Sequence, residues 1–308
     1  MPWIRRAAAA PLATLELHGP PASPSITLAY AAGAGLLRSV ADKVSFKVWR
    51  TPDEMRAGLT SGNMQALVMP VTAAANLHKR GLGVRLANVM TNGLLYVISS
   101  DDTLRTIADL KGRRITVPFP NDTPEVIFDA VLAHNGLTED DVTVETAGTP
   151  IEAIHMLLAG RIDIALVPEP AATAAILKAA ASGRAIHRAI DMQVEWGKVT
   201  GLGPIMPQAG LAFTDAFLQQ HADMVEPMLA AIAEATAAVT ARPSLAAGHA
   251  ASALELPWPV IEKSIPFSNL VATRASDART GLEALFSAIA AVNPKIIGGG
   301  MPDTSLYL

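Results

Sequence analysis

No cysteine occurs anywhere in the 308 residues. Its absence excludes disulfides, thiolate metal sites and cysteine nucleophiles together. It leaves the compartment open. Charge is sparse, with 17% charged residues, a formal net charge of -4 and no basic run, so nucleic acid is not expected as a partner. No run of about 18 uninterrupted apolar residues exists, and no segment is expected to span a membrane. Catalytic signatures are missing too. Gly33-Ala-Gly35 lacks the third glycine and the acidic strand end of a dinucleotide fingerprint. There is no Gly-x-Ser-x-Gly elbow, and no Ser/His/Asp set in a credible order. His134, His155, His187, His221 and His249 are scattered without metal-ligand spacing. No catalytic residue, metal or cofactor is expected.

What is present is a near-repeat. Gly62-Asn-Met-Gln-Ala-Leu-Val-Met-Pro70 is echoed by Gly160-Arg-Ile-Asp-Ile-Ala-Leu-Val-Pro168. Each copy follows a leucine-ended helical pattern. A helix-stopping glycine comes first, then an apolar run of strand length, a proline and an alanine-rich helix. That is one unit of a parallel α/β sheet, because the glycine suits a left-handed C-cap and the proline cannot continue a strand ladder. The copies lie about one hundred residues apart, too far for a solenoid. They predict two similar α/β lobes with a cleft at the strand exits; chance similarity of two α/β units is the alternative.

Along the chain, strands are predicted over 26–30, 44–49, 66–69, 84–90 and 96–99. After about residue 100 the pattern restarts, with strands over 114–117, 142–144 and 162–167. Thr51-Pro52-Asp53-Glu54 and Thr149-Pro150-Ile-Glu152 read as capping boxes. Gly/Pro-rich residues 201–210 read as a crossing segment, and the remainder is mostly helical. At the other end, Arg5-Arg6 and the apolar residues after it suggest a signal remnant, yet Pro11, Glu16 and His18 interrupt it. Pro20-Pro21-Ala-Ser-Pro24 reads as an extended linker. Residues 1–24 are thus expected to be a disordered arm or signal remnant.

Four fragments in order carry a family resemblance. They are Asp109-Leu-Lys-Gly-Arg-Arg-Ile-Thr-Val-Pro118, the stretch from Glu152 to Pro170 around Leu-Ala-Gly-Arg-Ile-Asp, Phe217-Leu-Gln-Gln-His-Ala-Asp-Met-Val225, and Ile297-Gly-Gly-Gly-Met-Pro-Asp303. Together they resemble the substrate-binding proteins of nitrate/taurine/aliphatic-sulfonate ABC importers. Ala222 stands where that family usually has proline, and Val167-Pro168 where it often has an aromatic. The resemblance implies a two-lobed α/β periplasmic-binding-protein fold of type II. Each lobe would be a mostly parallel sheet flanked by helices, with two crossing strands as hinge. Lobe one would comprise residues 25–97 and 204–308, and lobe two residues 98–203. It further implies capture of a small organic ligand (a sulfonate, aromatic carboxylate, pyrimidine or amine), delivery to an ABC permease, and a periplasmic or cell-envelope location. The alternative is a cytoplasmic enzyme on the same scaffold, like the thiamine-pyrimidine or menaquinone-pathway relatives. The cysteine-rich motif of the first of these is absent.

Helix starts supply most ligand-binding candidates, because free backbone N–H groups there bind ligand oxygens. Thr72, Asn121 and Thr123 sit at such starts. Capping of their own helices is the competing role for such residues. Glu169, held between Pro168 and Pro170 at a strand exit, is the most distinctive candidate. Its competing role is a charge complementing a helix dipole. Tyr30 and Gly33, at the exit of the first predicted strand, and Gln208, in the Gly/Pro-rich return, complete the set. No lysine or arginine falls in the predicted cleft loops. That pattern favours a ligand with N–H donors or a polar, partly apolar body over free nitrate or sulfate.

Overall fold

Two sheets, each built round three parallel strands in the same order, organise the chain. A computed structural model describes residues 11–120, 122–138 and 140–308. The first elements are β1 (Leu12–Gly19), α1 (Ser23–Gly33), β2 (Ala41–Val48), α2 (Pro52–Thr60), β3 (Ala66–Pro70), α3 (Val71–Lys79), β4 (Val84–Leu86) and β5 (Asn88–Thr91). Next come β6 (Leu95–Ser99), β7 (Arg114–Pro118), α4 (Thr123–His134), β8 (Thr143–Ala147), α5 (Pro150–Leu158), β9 (Ile164–Pro168), α6 (Ala171–Ala181), β10 (His187–Asp191) and α7 (Met192–Thr200). The chain then forms β11 (Ala209–Thr214), α8 (Asp215–His221), α9 (Val225–Ala241), α10 (Pro243–Leu254), α11 (Trp258–Ser264), β12 (Leu270–Arg274) and α12 (Arg279–Val292).

The larger sheet runs β12-β5-β11-β3-β1-β2, with β4 also on β11, and the smaller runs β10-β6-β9-β7-β8. In the larger, β1 lies parallel to β2 and β3; in the smaller, β7 lies parallel to β8 and β9. The near-repeat is therefore β3 and β9, in equivalent places. Each is bordered by an antiparallel strand next to a lobe crossing, β11 for β3 and β6 for β9. Both strands are buried on both faces, which explains their unbroken apolar runs. Ala66 and Val68 pack with α1 and α9, and Leu67 and Met69 with α3. Ile164 and Leu166 share a core with α4, and Ala165 and Val167 one with α5 and α6.

Both predicted capping boxes form: Thr51 Oγ1 accepts from Glu54 N at 3.1 Å, and Thr149 Oγ1 from Glu152 N at 3.2 Å. The N-terminal expectations need correction. Residues 1–10 of the expected arm lie outside the described residues, but residues 12–24 are folded. Leu15 and Leu17 alternate into the core as β1 pairs with β2 along its length. The predicted strand at 26–30 is the middle of α1, buried throughout from Ser23 to Ala31. Five alternating residues satisfied either period, and burial against α9 and α10 selected the helix. The predicted strand at 84–90 is split into β4 and β5. The smaller sheet takes β6, which straddles the expected boundary at 97/98.

Among the described residues, one helical run, Asp215–Ala241, is long and apolar enough to cross a membrane. Its buried face, which includes Met228, Ile232, Ala235 and Val239, packs on α1. That places the run in the core of the larger lobe.

The sheet is tightest where β11 passes β5. A Cβ on Gly210 would lie 1.9 Å from the Asn88 carbonyl oxygen and 2.9 Å from Leu86 Cδ1. Gly210→Ala should therefore separate these strands and cost about 1–3 kcal/mol, as overpacking does. Urea denaturation reads this out, and an unchanged midpoint would contradict the packing described.

Candidate functional site

Six helices start at the exits of parallel strands, and their N-termini differ in how they are satisfied; α2, on the larger sheet, is capped by Thr51. On the smaller sheet, α4 opens on Asp122, whose carboxylate accepts from Thr123 N at 2.6 Å. Thr149 caps α5, and Glu169 Oε2 accepts from Thr173 N at 3.1 Å in the first turn of α6. On the larger sheet, α1 and α3 open on Ala22 and Pro70 with no side-chain cap. The open helix ends therefore belong to the larger lobe.

At the start of α1 the hydroxyls of Ser23 and Ser25 are fully buried and have no hydrogen-bond partner. Gly19, the last residue of β1, makes room for one of them: its Cβ would sit 2.4 Å from Ser25 Oγ. The Gly19 carbonyl accepts from Trp49 N at 3.0 Å, tying the β1 exit to the loop after β2. Thr72, buried in the first turn of α3, accepts a hydrogen bond from Thr123 Oγ1 of α4 at 3.2 Å. That bond joins the two lobes directly across the strand exits. Ser23 and Ser25 were missed in the sequence because residues 20–24 read as a linker. The signal was present, since a serine and proline opening an apolar stretch mark a helix start.

The other predicted residues fall in different places. Tyr30 and Gly33 are not at a strand exit. They lie toward the far end of α1, about 10 and about 15 Å along the helix from Ser23 at 1.5 Å per residue. Tyr30 is buried edge-on against His249 of α10, with ring centroids 5.3 Å apart. Gln208 serves the lobe crossing, where its Oε1 accepts from Leu94 N at 2.7 Å. Asn121 lies outside the described residues.

Glu169 is fully buried, and both carboxylate oxygens are engaged. Arg188 of β10 donates to Oε1 through both Nε, at 2.7 Å, and Nη2, while the Thr173 hydroxyl donates to Oε2 at 2.7 Å. The predicted cleft loops carry no lysine or arginine, but the fold brings a cation to Glu169 from a strand. Arg188 lies 19 residues further on, in a strand without a clear sequence pattern. Burial pushes the Glu169 carboxyl above the usual range, while the Arg188 charge and the Thr173 bonds pull it down. On its other side the guanidinium lies 3.6 Å from the Phe267 ring centre. Tyr96 Oη donates to the Phe267 carbonyl at 2.9 Å, and burial raises that phenol's pKa. Arg188 and Tyr96, from the smaller sheet, thus meet the 3₁₀ turn Ile265–Phe267 after α11.

The asymmetry of this pair is testable. Arg188→Met leaves the Glu169 carboxylate buried without its cation, which should cost about 3–5 kcal/mol near pH 8. Removing the attraction raises the folded-state pKa further. A carboxyl with a raised folded pKa stabilises most below its unfolded value and loses that contribution as pH rises. The deficit should therefore shrink as the pH is lowered from 8 to 5, because protonation removes the stranded charge. Urea titrations of both proteins at the two pH values decide this, and equal deficits would show that the charge is not what matters.

Among the described residues, no three His, Asp or Glu side chains group to hold a metal. The family model described as NMT1/THI5 like matches residues 61–246. No curated protein matches the sequence. Among solved structures, an ABC transporter protein from Parabacteroides distasonis is 20% identical, with 96% of this chain and 99% of that chain covered at a TM-score of 0.80. The periplasmic aliphatic sulphonate binding protein SsuA from Escherichia coli is 17% identical, covering 96% and 94% at a TM-score of 0.71. The desulfurization enzyme DSZB is 14% identical, covering 93% and 96% at a TM-score of 0.60. These likenesses establish the two-lobed α/β fold that the sequence fragments implied. With more than half of its length matched, the chain belongs to the NMT1/THI5-like family.

Proposed function

We propose that this chain is the substrate-binding component of an ABC-type importer, capturing a small organic solute between its lobes. The observation that carries this reading is the pair of uncapped helix starts, α1 and α3, beside the buried, unpartnered hydroxyls of Ser23 and Ser25. Free N–H groups and hydroxyls at the helix starts that follow the neighbouring strands β1 and β3 favour an oxygen-bearing head group. Thr123 brings the second lobe onto Thr72, so a solute seated there would touch both lobes. Residues 25–97 with 204–308, and 98–203, are the lobes that would close, subject to the transfer of residues 12–24 and of β6. The binding proteins among the similar structures support delivery to a permease and a cell-envelope location.

An enzyme is the second reading, since the similar structures include a desulfurization enzyme. The chain itself offers no cysteine nucleophile. The buried histidine His18 sits on β1 against Glu16, with desolvation lowering its pKa. Binding accounts for the site with fewer assumptions.

A thermal-shift and calorimetry screen of sulfonates, aromatic carboxylates, pyrimidines and amines tests the proposal. A true solute at about a thousandfold excess over its Kd should raise stability by roughly 4 kcal/mol. Thr72→Val should then weaken it by about 0.5–1.5 kcal/mol, one neutral hydrogen bond. Silence from all four classes would count against solute capture. Turnover of any of them would favour the enzyme.

A further inference from the structure

A second feature lies away from the starts of α1 and α3, on the flank where α6 of the smaller lobe faces α10 and α11 of the larger. There a groove of about 980 Å³ opens between the lobes. That volume suits a small molecule. Its walls are apolar: Ile176 and Leu177 from α6, Leu245 from α10, and Phe267 beyond α11. Leu245 is 43% exposed and Phe267 38%, so apolar surface is left facing water.

The charges are unevenly answered. Arg188 lines the groove but is neutralised by Glu169. Arg242 and Lys263 also line it, and neither makes an ion pair or side-chain hydrogen bond among the described residues; Glu262 lies beside Lys263. Two free cations against one carboxylate leave the groove with one net positive charge next to an apolar wall. Ser244, in the first turn of α10, adds a hydroxyl.

From this arrangement we infer that the groove is a second binding site, for an amphipathic monoanion. Its anionic head lies between Arg242 and Lys263, and its hydrocarbon body lies along Leu245, Ile176, Leu177 and Phe267. Its lining includes none of Ser23, Ser25, Thr72 and Thr123, and the inference does not depend on what binds at the starts of α1 and α3. Because the walls come from both lobes, an occupant favours the state in which α6 meets α11.

Octanoate is the probe, with acetate and octyltrimethylammonium as head-only and charge-reversed controls, measured by isothermal titration calorimetry. Octanoate should bind saturably, and neither control should. The double variant Arg242→Ala/Lys263→Ala removes two exposed, unpaired side chains, so its thermal stability should match the parent while its octanoate Kd rises by about tenfold or more. Leu245→Asp should weaken octanoate similarly, and Ser23→Ala with Thr72→Val should leave it unchanged. The inference is overturned by any of three results: no saturable octanoate binding, a Kd within about twofold of the parent in the double variant, or loss of octanoate binding in the Ser23/Thr72 variant. The last result would put the probe at the strand exits and leave the proposed importer function standing.

Discussion

Everything in this molecule depends on a backbone crossing three residues long. Asn92, Gly93 and Leu94 carry the chain from β5 of one sheet to β6 of the other, through a region with little water. Their polar groups need partners there, because an unpaired buried amide costs about as much as a lost hydrogen bond. Two glutamines from elsewhere in the chain supply acceptors. Gln208 accepts from Leu94 N, and Gln193, fully buried, accepts from Leu95 N at 2.8 Å. Asn269 Nδ2 donates to the Gly93 carbonyl at 2.9 Å. Gly93 itself has φ +123, and a Cβ there would lie 2.1 Å from Gln193 Cγ. Only glycine lets the crossing and its glutamine occupy the same space. The return segment is bonded to the outgoing one, so the lobes are held in register by one knot of hydrogen bonds.

That knot explains why the two parallel three-strand units face each other at their strand exits, and why their helix starts matter. The smaller lobe spends its own side chains on its helix starts, through Asp122, Thr149 and Glu169. The larger lobe leaves α1 and α3 open. Magnitudes separate these features from the surface charge pairs. Arg274–Glu226 and Arg279–Glu283 are exposed and contribute little. The Glu169–Arg188–Thr173 cluster is buried, so its net contribution to stability is modest, but losing one member strands a charge. It fixes the orientation of β10 relative to α6 and turns Arg188 toward Phe267.

Much of this architecture was legible in the sequence. The near-repeat marks β3 and β9 because both are central strands, and burial on both faces writes an unbroken apolar run. Thr51 and Thr149 were legible because a capping box is local, its partners three residues apart. The β1–α1 unit was not. Leu15 and Leu17 alternate over too short a span to compete with the signal-like residues before them, and Ile26 to Tyr30 satisfies either period. With α1 misread as strand, Tyr30 and Gly33 were placed at a strand exit, where the structure has Gly19 and the start of α1 instead. Gln208 was placed in the return segment, but nothing local reveals that its acceptor serves Leu94. The partner of Glu169 was unreadable for the same reason. Arg188 lies on an edge strand whose position is set by sheet order and not by sequence spacing.

The two flanks of the interlobe region differ, and the difference bears on how the protein works. On one flank a single apolar core runs through both lobes, joining Leu67, Met69 and α12 with Val97, Val117 and α4. On the other, the cores of α1, α9 and α10 and of α5 and α6 stay separate, and the groove opens between them. A hinge sealed by apolar packing on one side and wet on the other has an easy direction of movement. Opening toward the groove breaks the Arg188 and Tyr96 contacts with Phe267 but exposes little buried hydrocarbon. Opening the opposite flank would expose the shared core at about 25 cal/mol for each Å². Any solute that bridges the strand exits therefore acts mainly against motion on the wet flank. Its differential affinity for the closed state sets how far that equilibrium moves.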